Sequence, residues 1–235
     1  MILTKRALVK TLVEKDTLFM HGKKIIVSGP QEDRVIRAFN NVRFYKSDMS
    51  GKCDSLHSNN KTQLTKMIGK PILWNNENQM TGDVMHLIGN NKTQKLDSLK
   101  VLNNAFIIQK DSLSKNGYNQ IKGQNLYGKF IDSKLKEVDV VKNAEVIYYM
   151  YNDANEFIGI NKTVCSKINL ELEANKINSI TFFTKTDSFI YPEADFPENA
   201  RKLRGFLWRG DERILSKDDI FPAEEIALDD KIQIE

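Results

Sequence analysis

Along the 235-residue chain, apolar and polar positions alternate in short runs. Val42-Arg43-Phe44-Tyr45, Ala144-Glu145-Val146-Ile147-Tyr148 and Ile168-Asn169-Leu170-Glu171-Leu172 are examples. Successive side chains of a strand point to opposite faces, so a period of two predicts β-strands. Between the runs lie turn candidates: Asp48-Met49-Ser50-Gly51, Gly89-Asn90-Asn91, Lys115-Asn116-Gly117 and Tyr151-Asn152-Asp153. Helical signal is thin. Leu8 and Leu12 sit four apart, but Val9, Thr11 and Val13 fit a strand as well, and only residues 198–204 and 223–230 read as short helices.

The pattern also repeats. An anchor residue follows a polar turn residue, with apolar positions six and four before it and two after it. Ile36, Ala38, Asn41, Val42 and Phe44 fit this template. So do Leu99, Val101, Asn104, Ala105 and Ile107, and so do Val138, Val140, Asn143, Ala144 and Val146. Thr65, Met67, Lys70, Pro71 and Leu73 make a weaker copy. Each unit is too short to bury its apolar face alone, so the units are expected to stack and share a core. Parity sends Val138, Val140, Ala144, Val146 and Tyr148 inward, and Asp139, Glu145 and Tyr149 outward. By the same rule Arg43 and Phe106 face outward. An inward apolar set is a hydrophobic core in the plain reading and an apolar groove for a lipidic ligand in the sharper one.

Composition narrows the function classes. At 40% hydrophobic residues and a mean hydropathy of −0.45 the chain reads as a folded protein. No run approaches the ~18 apolar residues of a membrane-crossing helix. Residues 1–20 read as structured chain without a signal peptide, which by itself points to the cytoplasm, or to a mature domain or fragment. The net charge is +4, and basic and acidic residues interleave, as from Lys134 to Asp139. No dense basic cluster with interleaved aromatics stands out, so nucleic-acid binding is disfavoured. Cys53 and Cys165 are far apart and form no CxxC pair, which leaves two buried thiols or one long-range disulfide.

Candidate chemistry is sparse. His21, His57 and His86 have no ligand-type partner at helical spacing, so they read as exposed strand or turn residues and no metal site is expected. Phosphate-loop, dinucleotide and nucleophile-elbow signatures are absent. Scattered carboxylates give no acid–base pair, no catalytic residue and no cofactor. The Asn-Lys-Thr sequons at Asn60, Asn91 and Asn161 read as chance in an Asn- and Lys-rich chain. The segment 203–213 gathers arginines around Phe206 and Trp208. It reads as a terminal cap whose aromatics close the end of the core.

The repeats, with Asp54-Ser55-Leu56, Pro71-Ile72-Leu73-Trp74, Asn78-Gln79-Met80-Thr81-Gly82-Asp83, Tyr118-Asn119-Gln120-Ile121-Lys122-Gly123, Asn143-Ala144-Glu145, Gly159-Ile160-Asn161-Lys162 and Leu203-Arg204-Gly205-Phe206-Leu207-Trp208, resemble the OstA-like (LptA-type) periplasmic lipopolysaccharide-transport family in its Bacteroidetes-like form. These motifs span about residues 16 to 221. The resemblance implies an all-β fold: stacked antiparallel strands in an elongated, V-shaped, twisted β-jelly-roll built from repeats. One such domain is expected over residues 1–221, with an acidic tail over 222–235.

In a protein of that kind the acyl chains of lipopolysaccharide, in its lipid A part, lie in the interior. The candidate lining is Ile36, Ala38, Val42, Phe44, Leu73, Leu99, Val101, Ala105, Ile107, Leu126, Phe130, Val138, Val140, Val146 and Tyr148. The expected role is a non-enzymatic periplasmic carrier or bridge toward the outer membrane. Expected partners are same-fold transport proteins joined by edge-strand addition, and further copies joined head to tail. Residues 7–13 read as one edge strand and the stretch around Phe206 to Trp208 as the opposite cap. The alternatives are the soluble N-terminal region of an outer-membrane lipopolysaccharide assembly protein, and a structural β-repeat protein with a closed, dry core.

Overall fold

The computed structural model describes residues 1–13, 16–93, 95–114, 116–173 and 176–225. They hold sixteen strands: β1 (Ile2–Thr4), β2 (Leu8–Val13), β3 (Asp16–His21), β4 (Lys24–Ser28), β5 (Val35–Lys46), β6 (Met49–Asn59), β7 (Leu64–Ile68), β8 (Ile72–Asn75), β9 (Asn78–Thr81), β10 (Val84–Gly89), β11 (Leu96–Lys110), β12 (Tyr118–Ile131), β13 (Lys134–Tyr151), β14 (Phe157–Glu173), β15 (Lys176–Phe183) and β16 (Asp187–Tyr191). All pair antiparallel in one sheet. Among the described residues no helix is long and apolar enough to cross a membrane.

The sheet folds along its middle into two wings. The first wing runs β1-β4-β5-β6-β7-β10-β11-β12-β13-β14-β15. The second runs β2-β3-β5-β6-β8-β9-β11-β12-β13-β14-β16. Long strands cross from wing to wing, so residues 35–39 of β5 pair with β4 while residues 43–45 pair with β3.

The repeated Asn is the device that makes the crossing. Asn40-Asn41, Asn103-Asn104 and Lys142-Asn143 all have positive φ, between 50° and 64°. Gly69-Lys70 and Thr184-Lys185 occupy the same left-handed region between β7 and β8 and between β15 and β16. At each of the three long strands the ladder register shifts, between Phe39 and Val42, Leu102 and Ala105, and Val141 and Ala144. A bulge of this kind bends the strand. Asn tolerates the left-handed region better than other non-glycine residues, and a β-branched residue tolerates it worst.

Asn143→Val is therefore expected to cost about 1–3 kcal/mol of unfolding free energy, with Asn143→Gly close to neutral. Denaturant midpoints of the two variants check this.

The two wings face each other across one apolar cluster. A second cluster lies on the outer face of the second wing, beneath residues 192–222. This strap contains only short 3-10 turns, such as Glu193–Asp195, Glu198–Ala200, Gly210–Glu212 and Asp218–Ile220.

Its position corrects the sequence reading. Phe206 and Trp208 do not close the end of the core. They pack on Tyr118 on the outer face, with ring centroids 5.2 and 5.4 Å away. Phe106 and Tyr149 do face outward, yet the strap buries both. The edge opposite β2 is formed by β15 and β16, which both pair with β14. Residues 198–204 form a single 3-10 turn at Glu198–Ala200, and the tail from residue 226 onward lies outside the described residues.

Two buried amides fasten the strap by reading its backbone. Gln79 Nε2 donates to the Leu207 carbonyl at 2.7 Å while its Oε1 accepts from Arg209 N at 2.7 Å. Gln120 does the same with the Arg201 carbonyl (2.7 Å) and Leu203 N (2.8 Å).

Further along, Glu212 accepts from Arg209 at 2.7 and 2.8 Å and from Lys52 at 3.2 Å. The Arg209 hydrogen bonds, with help from Lys52, hold the Glu212 carboxyl at about 2, below its usual 4.5. A depressed folded-state value gives stability that is complete above the unfolded value and is lost as the pH falls toward the folded one. Strap attachment should weaken between about pH 5 and about pH 2, and Glu212→Gln should flatten that dependence. Limited proteolysis within residues 192–222 across this range measures it.

Candidate lipid-binding trough

The inner faces of the wings make the candidate site. Alternation alone determines the facing: Ala38, Leu56, Met67, Met85 and Leu99 stand on neighbouring strands of the first wing, and all are buried. Leu73, Met80, Ile107, Ile121 and Val146 do the same on the second.

All fifteen residues proposed from the sequence come together in this one cluster. Ala38, Val42, Phe44, Leu73, Leu99, Val101, Ala105, Ile107, Leu126, Phe130, Val138, Val140 and Val146 are buried in it, and Ile36 and Tyr148 pack against it. Sequence reasoning missed the methionines Met20, Met67, Met80 and Met85, although Met67 stands in the weak template copy. It also missed Ile121, Ile168 and Leu170, which strand parity could have found.

The wings touch along most of their length. Ala38, Val42, Met67, Met85, Leu99, Ala144 and Val146 have no exposed surface. Close approach is built in locally at Gly51, opposite Phe44 in the ladder. A Cβ at Gly51 would lie 2.6 Å from the Phe44 ring, so only glycine lets that ring rest on the backbone.

Toward one rim the wings part and leave a cavity of about 240 Å³. Leu18, Met20, Phe44 and Met49 line it from the second wing, and Ile36, Leu56, Leu87 and Leu96 from the first. Its polar border includes Lys46, Lys95, Ser58, Gln63 and Thr65. Lys46 pairs with Asp48 at 2.7 Å, and Lys95 with Asp132 at 3.0 Å. At the other end, the inner face of the second wing turns polar. There Thr163 donates to Asn161 at 2.9 Å and Asn161 to Ser188 at 3.0 Å.

The titratable side chains of the interior cluster are the thiols of Cys53 and Cys165 and the phenol of Tyr148, while the three histidines lie outside it. His21 corrects the exposed reading: it is fully buried, with Nδ1–H donating to the Ala7 carbonyl at 2.8 Å and Nε2 3.3 Å from Glu225. His57 and His86 are half-buried on the outside of the first wing.

Both cysteines are free and buried, and burial pushes the Cys53 thiol up to about 12. Cys53 is on β6 and Cys165 on β14, six ladder steps apart in the second wing, or roughly 29 Å at ~4.8 Å per step. A disulfide needs Cα atoms within ~7 Å, so the long-range pairing left open by the sequence is ruled out within one chain. Among the described residues no group of three or more His, Cys, Asp or Glu is arranged to hold a metal ion.

No protein-family model and no curated protein matches this chain. Solved structures similar to this chain include LptH from Pseudomonas aeruginosa, the LptA-homologous periplasmic component of the conserved lipopolysaccharide transport device. The TM-score is 0.46 at 16% identity, and the match covers 62% of this chain and 99% of that one. At that score and identity a shared function does not follow.

Proposed function

We propose that this chain shields lipid acyl chains between its wings, as a periplasmic carrier or bridge for lipopolysaccharide on the way to the outer membrane. The observation that carries this reading is the continuous apolar interior that opens at one rim into a cavity lined by both wings. Each CH2 left in water costs roughly 0.8 kcal/mol, so an acyl chain gains by entering there. The closed part of the trough must widen to take it. The bulge column, where each strand already bends, is the hinge available for that movement.

The fifteen lining residues are proposed acyl contacts on this basis. Unpaired backbone groups along β2, and along β15 and β16, suit addition of a same-fold strand from a partner or another copy.

A titration with intact and with deacylated lipopolysaccharide tests the proposal. Intact lipid should bind and the deacylated form should not. Equal binding of both, or of neither, contradicts it. The zero exposure of Val42, Ala144 and Val146 favours a second reading, a structural β-repeat with a permanently dry core. Failure of intact lipid to bind would support that reading.

A further inference from the structure

The outer face of the first wing carries a feature invisible along the chain. Arg37 stands opposite His57, His57 opposite Lys66, Lys66 opposite His86, and His86 opposite Lys100. Five basic residues thus occupy one straight cross-strand row over β5, β6, β7, β10 and β11. Their neighbours Ala38, Leu56, Met67, Met85 and Leu99 point into the core, so the row points out. Arg37 and Lys100 are exposed and the three between them are half-buried. The strap grips the other wing and leaves this face bare.

Like charges directly opposite one another destabilise a sheet. Once His57 and His86 are protonated, every cross-strand neighbour within the row is a cation. The flanking outward positions are Val35, Phe39, Ser55, Asn59, Leu64, Ile68, Val84, Ile88, Ser98 and Leu102, with no carboxylate among them. Burial, then Arg37 and Lys66, lowers the His57 pKa. Burial, then Lys66 and Lys100, lowers that of His86. The row ends where Lys100 meets Tyr127, and Asp139 follows.

We propose that this row is a binding site for an extended acidic polysaccharide, bearing one carboxylate per sugar ring. Strand spacing sets the five groups ~4.8 Å apart, so the row extends about 19 Å and carries that charge repeat once both histidines are protonated. A chain with one charge per pyranose ring repeats at nearly the same distance. An acidic peptide strand presents same-face charges more coarsely, at about 6.6 Å. The apolar positions on either side, of which Ile68 is the most exposed, suit the C–H faces of sugar rings.

At neutral pH the arginine and two lysines hold the polymer. Below the ordinary histidine range His57 and His86 add two charges, and a bound anion draws those protons on. This site is independent of the trough.

The test uses end-labelled oligogalacturonate at about 0.1 M salt, where the screening length is about 10 Å, followed by fluorescence anisotropy, on the whole chain. Affinity should rise as the pH falls from about 8 to about 4.5, through and below the ordinary histidine range. Lys66→Glu should weaken binding at least about tenfold. The same substitution should also raise the thermal midpoint, because it places a carboxylate between two histidines in a row that ends in Arg37 and Lys100, which separates lost binding from lost fold. Lys217→Glu, the same charge change at an exposed position on the strap over the other wing, should change affinity by no more than about twofold. His57→Gln with His86→Gln should abolish the pH dependence and keep binding at neutral pH. Equal losses from Lys66→Glu and Lys217→Glu would overturn the proposal. So would a flat pH profile, or row-dependent capture by phosphatidylglycerol vesicles without oligogalacturonate binding.

Discussion

Val146→Asp is expected to destabilise the protein by about 4 kcal/mol or more, a large share of a typical folding free energy. Val146 has no exposed surface and stands opposite Ile121 on β12 and Thr163 on β14. The nearest hydroxyl, that of Thr163, is already bonded to Asn161 and Ser188. A carboxylate there is buried without a partner. One residue away, Glu145 faces outward and pairs with Lys122 at 2.8 Å. Glu145→Ala should cost no more than about 1 kcal/mol, as for other half-exposed ion pairs. Urea midpoints of the two variants compare opposite faces of one strand.

The second large effect concerns the strap. Replacing Gln79 and Gln120 together by Leu keeps the apolar bulk and removes four bonds to strap backbone. Each lost amide leaves a strap carbonyl and a strap N–H without its partner, fully buried only at Leu203 N, at about 1 kcal/mol per group. Local opening of residues 192–222 should become at least roughly 30-fold more frequent, the factor that 2 kcal/mol produces. Hydrogen exchange at Leu203 N and Arg209 N reads this directly. The amides of β13, which the wings hold together, should exchange as slowly as before.

The strands and their inward faces were legible because both are local. Alternation needs only neighbouring residues, and the bulge needs a residue tolerant of positive φ, which is why Asn41, Asn104 and Asn143 mark equivalent corners in three strands. Tertiary placement was not legible. Phe206 and Trp208 looked like an end cap, but the amides that position their segment, Gln79 and Gln120, lie more than eighty residues away from the backbone they bind. His21 reads as a polar strand residue until Ala7 and the returning strap enclose it. The basic row was missed because its members are separated by stretches of mixed charge. Only the ladder register brings Arg37, His57, Lys66, His86 and Lys100 into line. The interior was expected as a groove and is closed over most of its length, because small and flexible residues such as Ala38, Ala144, Met67 and Met85 let the two inner faces meet.

Site-specific photocrosslinking to lipopolysaccharide tests the trough most directly. A photoreactive residue placed at Phe44 or Leu87 on the cavity wall, or at Ile107 deeper in, should crosslink strongly to the acyl chains. Glu145 and Lys129 on the outer faces should not. Phe106 is unsuitable as an outward control, since the strap covers it. Labelling confined to the inward positions is the predicted result, and equal labelling of inward and outward positions would contradict the account.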